Sequence, residues 1–156
     1  IENFKEMIDK NAYYVDKTNL IIDVLNEQVV FCTRPRRFSK TLNMSMLYYF
    51  FSIKEKENAY LFDYLNISKN KNALKDQNKY PTIFISLKDM TKSSYEKQMN
   101  RFKEVICLCA KNFLELLNSD ILLDSEKKLF QKYVDNEIQD NELESALFNI
   151  SYFLYK

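Results

Sequence analysis

The chain has 156 residues, a length that fits one domain. It is 46% hydrophobic, 29% charged and 15% aromatic, which is a globular composition and excludes an intrinsically disordered chain. A net charge of +1 argues against a protein that binds nucleic acid through a strongly basic surface, and no apolar run approaches the roughly 18 residues of a membrane span.

The cysteines indicate reduced thiols rather than cross-links. Cys32, Cys107 and Cys109 are odd in number and irregularly spaced, so they do not form a disulfide framework, and we expect all three in or near the core. With no histidine and no Cys-x-x-Cys pair, a zinc site is not expected.

Glycine is absent from the chain. Either the whole composition has drifted away from glycine, or glycines have been lost at positions where they mattered. In both cases asparagine or aspartate must take the left-handed backbone positions. The candidates are Asn26, Asn70, Asn118 and Asn136.

The first third of the chain predicts short helices, an extended segment and a strand. Phe4, Met7 and Ile8 have helical spacing, and a second helix is predicted from Asn19 to about Asn26, with Thr18 as its N-cap. The apolar, β-branched run 29–33 predicts a strand buried on both faces.

A helix is predicted next, from Ser39 or Lys40 to Ile53. Its apolar residues recur every three or four positions, which is typical of a helix packed on a core. Residues 82–87 predict a second buried strand, and a capping box at Ser93 and Glu96 opens a long helix to about Asn118. Two further helices are predicted, over about 125–136 and from residue 141 onward.

This order of strands and helices predicts an α/β fold. Strand, helix, strand and helix follow one another, which favours layers built on parallel strands. Because only two strands are predicted, we expect few parallel strands and a predominantly helical remainder.

The connection between the first strand and the next helix has the layout of a phosphate-binding loop. The general pattern is G-x-x-x-x-G-K-[ST], in which backbone N–H groups at a helix N-terminus hold phosphate oxygens. Here Arg34 and Ser39 stand at the two glycine positions. In such a loop Lys40 would contact the β- and γ-phosphates, and the Thr41 hydroxyl would hold Mg²⁺ that arrives with the nucleotide.

The candidate nucleotide-binding residues are therefore Arg34, Pro35, Arg36, Arg37, Phe38, Ser39, Lys40 and Thr41. The alternative is an ordinary cationic connection that binds nothing in particular. Ser39 matters most in this choice: a positive φ there costs roughly 1–3 kcal/mol, whereas a helical φ costs little and leaves the hydroxyl able to cap the helix.

Two blocks of sequence resemble the bacterial AAA-ATPase-like family. They are Y-Y-V-D-K-T at 13–18 and C-T-R-P-R-R-F-S-K-T-L-N-M-S-M-L-Y-Y-F-F at 32–51. The family's loop is T-R-P-R-R-F-G-K-[ST], so the resemblance makes Arg34 an expected residue and Ser39 the departure. It implies a P-loop NTPase-like fold that binds ATP and Mg²⁺, and longer members carry a restriction-nuclease-like domain.

The resemblance also has implications for the extent of the domain and for a second group of candidate site residues. It implies one domain over residues 1–156, incomplete at its C-terminal side, with the acidic Walker B motif beyond Lys156. Asp89 is better explained as a turn residue than as that acid. Asp16 and Lys17 form either a turn with a helix cap or additional contacts to the base or phosphates.

The sequence thus predicts a nucleotide-binding AAA-ATPase-like module with a degenerate Walker A loop and no Walker B. We expect it in the cytoplasm, without membrane contact, and do not expect hydrolysis from this chain alone. One alternative is a non-catalytic protein-interaction module that retained the fold. The other is a weak binder of nucleic-acid backbone through Arg34, Arg36 and Arg37. The sequence does not name a protein partner or an oligomeric state.

Overall fold

A computed structural model of the chain describes residues 2–33, 39–88, 90 and 94–156. The chain divides into two compact units, Ile1–Thr82 and Ile83–Lys156. Each unit has its own hydrophobic core. Within the described ranges no helix is both long enough and apolar enough to cross a membrane.

The first unit is built around one helix. Its α-helices are α1 Phe4–Asp9, α2 Leu20–Asn26, α3 Lys40–Phe51 and α4 Lys71–Leu74. Two 3₁₀ segments, Ile53–Phe62 and Asn66–Lys69, follow α3. The apolar stripe of α3 lies in the core, together with residues from every other helix of this unit. The buried residues are Phe4, Ile21, Leu42, Met46, Phe50, Leu61, Phe62, Ile67 and Ala73.

Polar contacts fix α3 at its middle and at its C-terminal end. The buried Ser45 hydroxyl accepts a hydrogen bond from the Phe4 N–H at 3.0 Å, which joins α1 to α3. The buried Asn78 side chain donates to the carbonyls of Tyr49 at 3.0 Å and Ser52 at 2.8 Å. Carbonyls at a helix C-terminus lack helical partners, so these two bonds cap α3.

The second unit is a cluster of three longer helices. They are α5 Tyr95–Lys111, α6 Asp124–Val134 and α7 Ala146–Tyr155, with 3₁₀ segments at Leu114–Asn118 and Asp140–Ser145. Ile106, Phe130 and Ile150 bring the three helices together in one buried core. The Tyr133 hydroxyl, within that core, accepts a hydrogen bond from the Asn149 side chain at 2.8 Å.

The predicted helices are confirmed, with shifted ends. The long helix ends at Lys111 rather than near Asn118, because the backbone of Phe113 leaves helical geometry at φ −128° and continues as a 3₁₀ segment. Its N-cap is Ser94, whose hydroxyl accepts from the Lys97 N–H at 3.4 Å. The predicted cap Ser93 lies outside the described residues.

The prediction of an α/β, P-loop NTPase-like fold with parallel strands was wrong. The described residues contain no strand and no sheet, and their one isolated parallel bridge joins Ser52 to Tyr80. The run 29–33 is not buried on both faces: Val29 is 84% exposed and Phe31 is 86% exposed. A strand needs neighbours for its backbone N–H and C=O groups, and the described residues place none beside this run.

Two smaller predictions were partly wrong. Cys107 and Cys109 are buried as expected, whereas Cys32 is exposed because the run that contains it is exposed. Burial raises the pKa of Cys109 to about 11, which keeps its thiol protonated. Among the asparagine candidates for left-handed backbone, Asn136 is confirmed and the other three are wrong. The positive-φ residues of the described chain are Asn11, Ser39, Asn78 and Asn136.

Candidate functional site

The N-terminus of α3 is exposed, and its N-cap residue makes no side-chain capping bond. Ser39, the residue before the helix, has φ 59° and ψ 26°, which is left-handed geometry, and its hydroxyl makes no capping hydrogen bond. Lys40 and Thr41 follow as the first two helical residues, and both are exposed. The rest of α3 is anchored in the core, so this end of the helix has a fixed position.

This helix end favours anions. The first N–H groups of a helix have no helical acceptors, and the aligned peptide dipoles place partial positive charge at the N-terminus. The Lys40 ammonium adds a full positive charge at the same place. Backbone donors and a cation together are suited to phosphate oxygens.

A cleft of about 750 Å³ lies beside this end of α3. Pockets that hold small ligands commonly have volumes of ~300–1,000 Å³. One part of the lining comes from Lys17, Leu20 and the run 30–33, and the other from Lys40, Asn43 and Met44 on α3. The cleft thus borders the described residues on both sides of residues 34–38.

The cleft combines cationic and apolar surfaces. Lys17 and Lys40 supply two positive charges from different segments of the chain. Leu20, Phe31 and Met44 contribute apolar surface. Asn43 adds a buried side-chain carbonyl, Oδ1, that accepts no hydrogen bond from the described residues. Such a cleft fits a ligand that has both an anionic part and a flat apolar part.

Asp16 and Thr18 connect this region to the 3₁₀ segment Asn66–Lys69. Asp16 Oδ1 accepts hydrogen bonds from the Thr18 N–H at 2.9 Å and from the Thr18 hydroxyl at 2.7 Å. Its other oxygen accepts from the Asn66 N–H at 2.7 Å. The buried Thr18 hydroxyl accepts in turn from the Ile67 N–H at 3.2 Å. Thr18 was predicted to cap α2, but its hydroxyl serves this tertiary contact.

These contacts lower the pKa of Asp16. Partial burial acts to raise the pKa of this carboxyl, since burial disfavours the charged form. The hydrogen bonds from Thr18 and Asn66, aided by the positive charge of Lys69, stabilise the carboxylate and outweigh burial. The net effect is a pKa below the ordinary value for Asp16, so this side chain is ionised at neutral pH.

The structure brings together some of the predicted site residues. Lys17 and Lys40, which are 23 positions apart, line the same cleft. Ser39 and Thr41 flank Lys40 in the sequence but are not among the residues that line the cleft. The predicted residues Arg34, Pro35, Arg36, Arg37 and Phe38, like Asp89, lie outside the described residues.

Sequence reasoning missed several residues that line the cleft. Asn43 and Met44 lie in the sequence block that carried the family resemblance, and that block was the available signal. Leu20 and Phe31 were assigned only to helix or strand packing. Their place in the cleft depends on tertiary structure.

A family model supplies independent information about this chain. The model described as Predicted AAA-ATPase matches residues 1–149. The chain belongs to this family. No significant match emerges among curated proteins or among solved structures. The family description is thus the one functional statement that the comparisons provide for this AAA-ATPase family member.

The described residues contain no group of three or more His, Cys, Asp or Glu side chains that could hold a metal ion. The Thr41 hydroxyl is exposed at the second position of α3, where a neutral oxygen ligand would be next to a bound phosphate. An oxygen donor of this kind fits Mg²⁺, which commonly binds through a few protein oxygens plus the phosphates of its nucleotide.

Proposed function

We propose that this AAA-ATPase family member binds a nucleoside triphosphate, with ATP as the first candidate, in the cleft beside α3. The observation that carries the proposal is that two lysines and an apolar surface meet in one cleft beside an exposed helix N-terminus. Membership of a family of predicted AAA-ATPases supports the same ligand class.

Each part of the nucleotide has a matching group in the cleft or in the first turn of α3 beside it. The first N–H groups of α3 and the Lys40 ammonium would hold the phosphates. The Thr41 hydroxyl would contribute one oxygen ligand to Mg²⁺, and the ion would reduce the charge of the phosphates. Phe31 and Met44 would contact the base, which has two apolar faces.

Ser39 determines how well the phosphate-binding end is formed. Its left-handed φ of 59° is the geometry that the family's glycine adopts without a steric cost. The backbone therefore keeps the shape that a glycine at this position would permit, although serine makes it less stable. We propose that phosphate binding is weakened rather than lost.

We also propose that the chain binds nucleotide without catalysing its hydrolysis. Hydrolysis requires an acidic side chain that holds Mg²⁺ and a group that orients water. The described residues that line the cleft include no aspartate and no glutamate. Binding and release of ATP is the activity proposed for these residues.

Titration calorimetry with Mg-ATP tests the proposal. The native chain should release heat, and Lys40→Ala should weaken binding about tenfold, because a charge-assisted contact to phosphate is lost. Lys71→Ala is the matched control, since this lysine is exposed in the same unit but does not line the cleft. Equal affinities of the native chain and Lys40→Ala would contradict the proposal.

A protein-interaction module is the second candidate function. The observation in its favour is the exposure of Val29 and Phe31, at 84% and 86%, in one apolar run. Large exposed apolar side chains that lie close together are common where another protein binds. The two candidates differ in their response to ATP: a nucleotide site should protect Phe31 from solvent when Mg-ATP is added, and an interaction surface should not.

A further inference from the structure

The segment 13–18 has two distinct faces. Tyr14, Asp16 and Thr18 point inward, whereas the intervening Tyr13, Val15 and Lys17 are exposed. This alternation is that of an extended chain, in which successive side chains point to opposite sides. Lys17 therefore faces away from the core because its two neighbours are held inside.

The inner face of this segment is firmly attached. The Tyr14 ring packs edge-on against Phe4 at 5.5 Å, and its hydroxyl lies 3.5 Å from the sulfur of Met46 on α3. Asp16 and Thr18 are bonded to the backbone of residues 66 and 67. The segment is thus fixed to α3 at one end and to a 3₁₀ segment at the other.

Both oxygens of the Asp16 carboxylate accept hydrogen bonds from the protein. Oδ1 accepts two hydrogen bonds from Thr18, and Oδ2 accepts one from the Asn66 N–H. The carboxylate therefore serves contacts within the protein. Lys17, the next residue, lines the cleft with Lys40.

We infer that Asp16 is a positioning residue that holds Lys17 in the cleft, where Lys17 serves with Lys40 as a second cation for the phosphates of a nucleotide. This inference rests on the proposed function. It assigns different roles to two adjacent residues: Lys17 touches the ligand, and Asp16 acts through Lys17. The chemical group recognised is a polyphosphate, for which two ammonium groups from separate segments are suitable partners.

A double-mutant cycle separates these roles. Lys17→Met should weaken Mg-ATP binding about tenfold, since one charge-assisted contact is lost. Asp16→Asn should weaken binding in the native background, because an amide nitrogen cannot accept from the Asn66 N–H. In the Lys17→Met background Asp16→Asn should have little further effect, whereas equal losses in both backgrounds would contradict positioning through Lys17.

Ionic strength and a conservative variant provide further readouts. If Lys17 contacts phosphate, Lys17→Met should reduce the salt dependence of binding, because one ion pair no longer contributes. Lys17→Arg should restore both affinity and salt dependence. A purely structural effect would lower affinity with an unchanged salt dependence, and that result would overturn the inference.

Asn66→Pro tests the anchor without changing a charge. Residue 66 is the first position of a 3₁₀ segment, where proline fits, and the preceding Leu65 has the extended backbone that proline requires. The substitution removes the backbone N–H that donates a hydrogen bond to Asp16 Oδ2. It should weaken Mg-ATP binding in the same direction as Asp16→Asn, and an unchanged affinity would count against the anchor.

Limited trypsin digestion separates failure of the inference from failure of the proposed function. Asp16→Asn and Asn66→Pro should speed cleavage after Lys17, and cleavage after the exposed Lys10 should not change. If native chain and variants alike bind no Mg-ATP, the proposed function fails, and the ligand role of Lys17 fails with it. If the native chain binds and Lys17→Met binds equally well, only the inference fails.

Discussion

Ser39 shows how a single side chain can conflict with its backbone. The four left-handed positions of the described chain comprise three asparagines and this serine. Asparagine tolerates left-handed geometry better than other residues with a Cβ, so Ser39 carries the largest local strain of the four. The sequence predicted that Ser39 departs from the loop pattern but could not determine its φ.

Replacing Ser39 with glycine should stabilise the protein. Glycine relieves the left-handed strain in the folded chain but also gives the unfolded chain more conformational entropy. Because the first effect contributes more free energy than the second, the free energy of unfolding should rise by about 0.5–1 kcal/mol. Hydrogen exchange of the α3 amides measures this change. Ser68→Gly, within the 3₁₀ segment, is the control and should destabilise the protein by about 0.5–1 kcal/mol. A loss of stability in Ser39→Gly would show that the site is not strained.

Asp16 should make the stability of the first unit depend on pH under acidic conditions. Its folded pKa lies below the ordinary value of 3.8, so the stabilisation is fully present above that value and is lost as the pH falls through the folded pKa. Between about pH 5 and pH 2 the native chain should therefore lose more stability than Asp16→Asn. Urea unfolding across this range measures the difference. Asp63→Asn, which changes an exposed side chain, should follow the native curve.

At the scale of elements, the position of α3 and its buried face were predicted from sequence. The side chain that caps its C-terminal end was not. The spacing of Leu42, Met46 and Phe50 indicated the helix and its buried face, because periodicity is a local property. The cap comes from Asn78, which lies 26 residues beyond Ser52. No local pattern connects the two residues, so this contact required the tertiary structure.

Asn78→Asp should destabilise α3 strongly. The Asn78 amide donates to two helix carbonyls, and a carboxylate would place unpaired oxygens against them in a buried site. The expected loss is about 2–4 kcal/mol in the free energy of unfolding, measured by hydrogen exchange of the α3 amides. Asn11→Asp is the matched control, since Asn11 has a similar φ of 49° and is exposed. Comparable losses in both variants would refute the capping role.

At the scale of the whole molecule, two phenylalanines distinguish the core from the exposed run. Phe50 is fully buried, and Phe31 is 86% exposed. Phe50→Ala should cost about 3–5 kcal/mol, whereas Phe31→Ala should change stability by less than about 0.5 kcal/mol. Native-state hydrogen exchange of the first unit measures both. A large loss for Phe31→Ala would indicate that the run 29–33 is packed after all.

The prediction of sheet structure failed at this same scale. The runs 29–33 and 82–87 have the composition of buried strands, and composition favours an extended backbone. Strand formation also requires a partner at the right distance, which is a property of the assembled chain. The described residues supply none for either run, and Leu87 is 60% exposed. Family membership was identified from motifs, and that identification survived the failure of the fold prediction.

The sequence by itself determined the family, and it determined the longer helices and their buried faces. These features depend on residue identity, spacing and local periodicity, which a single chain displays directly. Tertiary structure decided which extended runs stay unpaired, how Asp16 is bonded to a segment 50 residues away, and that Lys17 shares a cleft with Lys40. Such pairings depend on how distant segments pack, because hydrogen bonds and burial act between neighbours in space.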